Sequence, residues 1–406
     1  MLVRIATFLR RQTVLCIAFL LAALSCLFAT SFTQVIAAID LRVLLLLFCL
    51  MCVIEGWSQA HLLQRFAAIL LARIHRLRGL AAIIVGLCFF GSMLLTNDVA
   101  LITFVPLAIS LAIMTGTQKE LPLLLVLQTL AANIGSSLTP VGNPQNLYLY
   151  SKYMISPSAF FTATGPIVVS GGILLLLCLW LVPNKPFSLP KQDCAPVQVF
   201  CAVLYSLLFL LTLLVVFHVI SIYIALVCIL AGTLINAPSV FKKVDYCLLL
   251  TFVCFFVFVA NIGQIPAFRT FLETMLKGRE VVIGAIFSQF MSNVPSAVLL
   301  SGFTSDGISL LKGVNIGGCG TLIASLASLI TYQIYMREKT SDKKIYMVLF
   351  TLFNFAFLLI LLCVGVYLQK ICLIGHIIGI IRLYFSGEII HLHSFFMIPQ
   401  SVVTNA

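Results

Sequence analysis

Two short polar clusters interrupt apolar stretches of the chain, and their residue types are those that hold small ions. The first is Leu95-Thr96-Asn97-Asp98 and the second is Met291-Ser292-Asn293-Val294-Pro295-Ser296. Hydroxyl and amide oxygens coordinate cations, and the free N–H groups at a helix start face anions. Thr96, Asn97, Asp98, Ser292, Asn293, Pro295 and Ser296 are therefore the candidate substrate-binding residues. Such residues also cap ordinary helices; a single cluster would read as a cap, whereas a matched pair favours a site. Asp98 is the acid best placed to lie at membrane depth, where a carboxylate is costly and serves as a cation ligand or proton carrier. Glu55 sits where its side chain can reach water, and Asp40 and Asp245 mark helix starts.

A second pair of segments follows the first. NIGSSLTPVGNPQN begins at Asn133 and NIGGCGT at Asn315. Pro140 and Pro144, with Gly135 and Gly142, preclude a continuous helix through the first of them. An unwound stretch exposes carbonyls to cations and positive helix ends to anions, as in the discontinuous helices of transporters. The candidate ion-binding residues are Asn133, Gly135, Ser136, Ser137, Thr139, Asn143 and Asn146, then Asn315, Gly317, Gly318, Gly320 and Thr321. Sodium is the metal they would suit.

Elements able to position these groups must sit in lipid. Of 406 residues, 62% are hydrophobic and 9% charged, too few charges to cover a soluble body. Apolar runs such as 13–29, 165–182 and 344–368 match the roughly 20 residues that span a bilayer as a helix. The short alternating segments of a strand barrel are missing. The expected fold is an all-α polytopic membrane protein of about 10–11 transmembrane helices. The net charge of +12 resides in short loops without interleaved aromatics, so nucleic acid is not an expected partner. The 14 cysteines lack CxxC pairs and read as small apolar residues. No HExxH helix, GxSxG elbow or paired intramembrane aspartates suggest an enzyme, and no cofactor is expected beyond sodium or a proton as coupling ion.

Basic residues set the orientation. With the N-terminus in the cytoplasm, sixteen lysines and arginines fall inside, among them Arg76, Arg78, Lys185 and Lys243, and six outside, among them Arg42, Lys152 and Lys312. That count requires residues 80–114 and 281–303 to form re-entrant hairpins opening from opposite sides, which makes the two halves inverted. Arg4, Arg10 and Arg11 before the first apolar run resemble a secretory start, but the many spans that follow favour a retained helix. Three blocks also recur in order: IDLRVLLLLFCLMCVIEG with VDYCLLLTFVCFFVFVANIG, MLLTNDVALITFVPL with SQFMSNVPSAVLLSG, and the two NIG segments. The expected organisation is an N-terminal transmembrane helix (1–39), a first inverted repeat (40–182), a cytoplasmic linker (183–196), a second repeat (197–368) and a tail (369–406) whose residues 371–386 could lie on the interface or span. Each repeat would contain a re-entrant hairpin and a discontinuous helix.

With these motifs in place, the chain resembles the ion transporter superfamily over residues 40–368. That group includes the citrate-transporter-like domain, divalent anion/sodium symporters and arsenite/sodium-proton antiporter relatives; the chain is most similar to the bacterial anion-permease branch. The resemblance implies a scaffold and a transport domain, a homodimer in the bilayer, elevator-like movement and a bacterial inner-membrane location. It implies hairpin tips that contact a small anion, with sodium sites beside them. Two departures stand out: Asp98 replaces a threonine of the symporters, and Val294 precedes Pro295 at the second tip. An aspartate repels a dianion unless a cation or proton neutralises it. The function expected is secondary transport of a carboxylate or inorganic oxyanion with sodium or protons; the alternative is a cation/proton antiporter using Asp98.

Overall fold

The computed structural model describes residues 13–28, 36–71, 74–186, 196–338 and 342–385, with side chains to Tyr367. The N-terminal arginines, most of the 183–196 linker and the tail beyond Phe385 lie outside the described residues. The described chain forms seventeen α-helices and no strand.

The order is α1 (Thr13–Ser25), α2 (Leu41–Gln59), α3 (Leu62–Leu71), α4 (Leu77–Leu95), α5 (Asn97–Met114), α6 (Leu121–Ser136), α7 (Pro144–Lys152) and α8 (Pro157–Leu179). It continues with α9 (Val199–Val216), α10 (Ile222–Asn236), α11 (Tyr246–Ile262), α12 (Pro266–Leu276), α13 (Glu280–Met291), α14 (Asn293–Leu300), α15 (Gly307–Ile316), α16 (Leu326–Met336) and α17 (Lys343–Phe385). Residues 371–385, open between interface and span in the sequence, continue α17 without a break.

Several starts have a local cause. Asp40 and Asp245 cap α2 and α11 in nearly the same conformation, their carboxylates accepting the Val43 and Leu248 N–H groups at 3.0 Å. Ser156 and Asn143 cap α8 and α7 in the same way, and Pro144 occupies the first turn of α7, where no N–H is needed.

Six described helices are long and apolar enough to cross a bilayer singly: α2, α4, α5, α8, α9 and α17. The bent pair α11–α12, meeting at 107°, makes a seventh. The expected ten to eleven is not reached by single helices because the remaining apolar pieces, 10–17 residues long, cover less than the roughly 30 Å of hydrocarbon. The hairpins are also unequal. The arms of α4–α5 have 19 and 18 residues, each enough to cross, and those of α13–α14 have 12 and 8.

Two apolar cores result. One lies under α2, α9, α10 and α11 and takes in α7 and α14. The other lies under α4, α5, α6 and α8 and takes in α13 and α17. Glycines let backbones meet in the second core. A Cβ on Gly135 would stand 2.0 Å from the Phe89 carbonyl oxygen, and one on Gly317 would stand 2.6 Å from the Ser288 side chain. Small residues at such crossings are the usual means of close helix approach in membranes. Gly135→Ala is expected to push α4 from α6 and cost about 1–3 kcal/mol, whereas Gly165→Ala on α8, with open space around its Cβ, should be near neutral; thermal unfolding in detergent separates the two.

Candidate functional site

Each hairpin turns on one residue. Thr96 (φ 74°, ψ 149°) ends α4 and precedes α5, and Ser292 (φ 74°, ψ 153°) ends α13 and precedes α14. Positive φ is unfavourable for a β-branched residue and is tolerated where surrounding structure imposes it. Neither hydroxyl caps the helix it precedes, so the local capping role is unfilled at both tips.

The constraint comes from the unwound segments, residues 137–143 and 317–325. At the first tip the Asn97 N–H donates to the Gly142 carbonyl at 3.1 Å, and at the second the Asn293 N–H donates to that of Ala324 at 2.9 Å. In return the Thr139 hydroxyl donates to the Met93 carbonyl, and the Thr321 hydroxyl donates to that of Gln289 at 2.8 Å. Met93 and Gln289 each lie three residues before a tip. Both tips are thus clasped twice, at equivalent positions.

Asparagines join the two assemblies. Asn133 accepts from the Asn97 amide at 3.1 Å and the Ser325 hydroxyl at 2.9 Å, and donates to the Gly318 carbonyl at 3.1 Å and Ser328 at 3.4 Å. Its counterpart Asn315 donates to Asn146 at 2.7 Å and accepts from Asn143 at 3.4 Å. Each NIG asparagine therefore reaches the loop of the other half. Asn293 stands beside this network, its amide nitrogen 3.1 Å from where a Cβ on Gly318 would lie. The hydroxyls of Ser136 and Ser137 donate back to the Asn133 carbonyl at 3.0 and 2.9 Å, leaving lone pairs as acceptors.

Four helices begin at this centre: α5 at Asn97, α14 at Asn293, α7 at Pro144 and α16 at Leu326. Their positive dipole ends make it favourable for negative charge.

A cavity of about 340 Å³ leads to the centre from one side. Leu50, Glu55 and Asp245 line it from α2 and the start of α11, Thr96 and Asp98 from the first tip, Asn143 and Pro144 from the unwound segment, and Gln333 from α16. Glu55 and Lys243 form an ion pair of 2.8 Å on its wall. Asp98 carries a buried Oδ1 without a hydrogen-bond partner among the described residues. The second tip does not reach this cavity: Ser292, Asn293, Pro295 and Ser296 are buried. Toward the end of α7, Tyr148 packs on Phe252 and Phe256, and Lys152 donates to the Tyr148 and Ser301 hydroxyls at 3.1 and 2.9 Å, tying α7 to the end of α14.

The sequence-derived residues are thus brought into one neighbourhood, and of these Thr96, Asp98 and Asn143 line the cavity. Gly320 and Thr321 are engaged by Gln289, a residue that motif reading passes over. The Gln289 amide donates to the Ala285, Gly317 and Cys319 carbonyls, each at 3.0 Å, and accepts from the Thr321 N–H at 2.9 Å. Gln145, buried with both side-chain polar atoms unpartnered among the described residues, was also passed over, though it stands inside the NPQN run.

Comparison with known proteins identifies the family of the chain. The citrate transporter family model matches residues 2–304. The uncharacterized transporter MJ0456 of Methanocaldococcus jannaschii is 32% identical over 307 residues, 74% of this chain and 83% of the relative. The inner membrane protein YbiR of Escherichia coli is 32% identical over 308 residues, 73% and 81% of the two chains. The silicon efflux transporter LSI3 of Oryza sativa subsp. japonica is 34% identical over 147 residues, 36% of this chain and 30% of the relative. With its apolar helices and clasped hairpin tips, the chain belongs to the citrate transporter family and is a multi-pass membrane transporter.

Proposed function

We propose that the chain is a secondary active transporter that carries a small anion, a carboxylate or inorganic oxyanion, across the bacterial inner membrane together with a proton or sodium ion. The observation carrying this reading is the convergence of four helix N-termini on two uncapped, positive-φ tips, the first of which Asn133 ties to the second unwound segment. Amide and hydroxyl groups supply the remaining donors. No lysine or arginine lies at either tip, and Lys243 on the cavity wall is paired with Glu55. The solute is therefore of low charge, or its charge is offset by a cation at Asp98.

The cavity touching one tip while the other is sealed fits a carrier resting with one gate open. Arg76, Arg78 and Lys185 meet at one end, the Leu77 N–H donating to the Lys185 carbonyl at 2.9 Å and Arg78 donating to the Val182 carbonyl at 3.0 Å. This common basic end supports a cytoplasmic N-terminus, and Lys243, counted on the same side, stands on the cavity wall, which supports an inward-facing cavity. The two matched sets of elements are read as inverted repeats, and the protein as a homodimer. The unpartnered Oδ1 of Asp98 also supports a second reading, cation/proton exchange without an anion.

Proteoliposome uptake distinguishes them. Citrate, dicarboxylates, sulfate, phosphate, arsenite and silicate are to be tested with imposed pH or sodium gradients; silicate and citrate enter because the rice relative is a silicon efflux transporter and the family is named for citrate. Uptake of one of these solutes, reduced at least about tenfold in Asn97→Ala and in Asn293→Ala through loss of a buried hydrogen bond or two, is the expected result. Proton exchange with sodium or potassium in the absence of every anion tested would establish the exchanger instead.

A further inference from the structure

We infer that both unwound segments carry a built-in substitute for a bound cation, the side-chain amides of Asn146 and Gln289, and that the centre therefore binds no sodium. This rests on the transporter reading above and narrows its coupling ion.

Carbonyl oxygens that converge on one point are how a protein replaces the hydration shell of a monovalent cation. Two such points exist here, and each is filled by a nitrogen of the chain. The Asn146 amide nitrogen faces the Ser136, Ser137 and Thr139 carbonyls at 3.3, 3.5 and 3.0 Å. The Gln289 amide nitrogen faces those of Ala285, Gly317 and Cys319, each at 3.0 Å. In both places three acceptors surround a group with two hydrogens, an excess of oxygen characteristic of cation coordination.

The amide orientations are fixed by their partners. Carbonyls only accept, so the NH2 group must face them, and the backbone N–H of Thr321 only donates, so the Gln289 oxygen must face it at 2.9 Å. The Asn146 oxygen is held by the Asn315 amide at 2.7 Å. The second loop is shaped around its occupant: Gly320 adopts φ 116°, and a Cβ there would stand 2.0 Å from the Gln289 oxygen. Sodium could enter either cage only by evicting a tethered amide and breaking these bonds. A carboxamide NH2 is positively polarised but uncharged, so it satisfies the carbonyls and contributes nothing to coupling.

What remains is Asp98, whose Oδ1 has no partner among the described residues. The charged groups facing it across the cavity are Asp245, at the start of α11, and the Glu55–Lys243 pair. Asp98 stands in the first turn of α5, whose positive end offsets part of that negative charge.

The test uses the full-length protein in detergent and needs no substrate. Melting temperature is recorded while sodium chloride replaces choline chloride, in wild type, Asn146→Asp and Gln289→Glu. Wild type is expected to show no sodium-specific shift. Each carboxylate variant places an anionic oxygen among carbonyls, which is unfavourable until a cation lies between them, so each should gain a sodium-specific rise of at least about 2 °C. A sodium-specific rise in wild type overturns the inference, as do folded variants that ignore sodium. If a variant does not fold, the wild-type titration alone decides. Failure of the substrate reading shows separately, as uptake indifferent to Asn97 and Asn293.

Discussion

Asp98→Asn is expected to abolish uptake driven by a pH gradient while leaving the protein folded and more stable than wild type. The reason lies in what the carboxylate lacks. Its Oδ1 is buried and makes no hydrogen bond with the described residues, Asp245 and Glu55 line the same cavity, and Lys243 there is paired with Glu55, so only the positive end of α5 offsets its desolvation. An amide of the same shape removes the charge and breaks no bond to Oδ1, which should raise stability by about 1–2 kcal/mol. A residue kept at such a cost to stability is characteristic of a working site. Thermal unfolding and proton-driven uptake, measured on one preparation, check both halves. An Asp98→Asn protein that transports normally would remove Asp98 from the coupling step, and one that fails to fold would make the residue structural.

Asn133→Ala should have one of the largest structural effects of any single polar truncation in the centre. It removes four partners at once, Asn97, Ser325, Ser328 and the Gly318 carbonyl. A typical hydrogen bond between membrane helices contributes about 0.6 kcal/mol, and leaving the buried Asn97 amide unpaired adds roughly 1 kcal/mol. The expected loss is about 3–4 kcal/mol, with uptake lost as well because the first tip is no longer tied to the second unwound segment. Thr212→Val on α9 serves as the control: its hydroxyl bonds only within its own helix, at 2.8 Å to Leu208, and the change should cost less than about 1 kcal/mol. Equal losses for the two variants would show that Asn133 is not the joint between the halves.

Much of this centre could be read from the chain itself because its signals are local. An all-helical membrane fold follows from composition, and the tips follow from polar residues that interrupt apolar runs. The unwinding at 137–143 follows from Pro140, Pro144 and Gly142. The second unwound segment was legible only through the repeated Asn-Ile-Gly, since glycines such as Gly320, and not prolines, break the helix there.

Contacts far apart in sequence were not legible. Gln289 reads as an ordinary polar residue on a short helix, and its role appears only when Gly317, Cys319 and Thr321 fold around it. Glu55 gave no sign of its partner, because Lys243 is 188 residues away in the chain. The unequal hairpins were hidden as well: apolar runs on both sides of each tip look alike until helix lengths of 19 and 18 residues are set against 12 and 8.

The central claim is that both tips hold one solute. Equilibrium binding of the solute identified by uptake, to wild type, Asn97→Ala, Asn293→Ala and the double variant, tests it most directly. The account predicts weaker binding in each single variant and a coupling energy above about 0.5 kcal/mol in the double-mutant cycle, as expected of residues touching one ligand. Additive losses, or full affinity with either asparagine removed, would contradict a shared site.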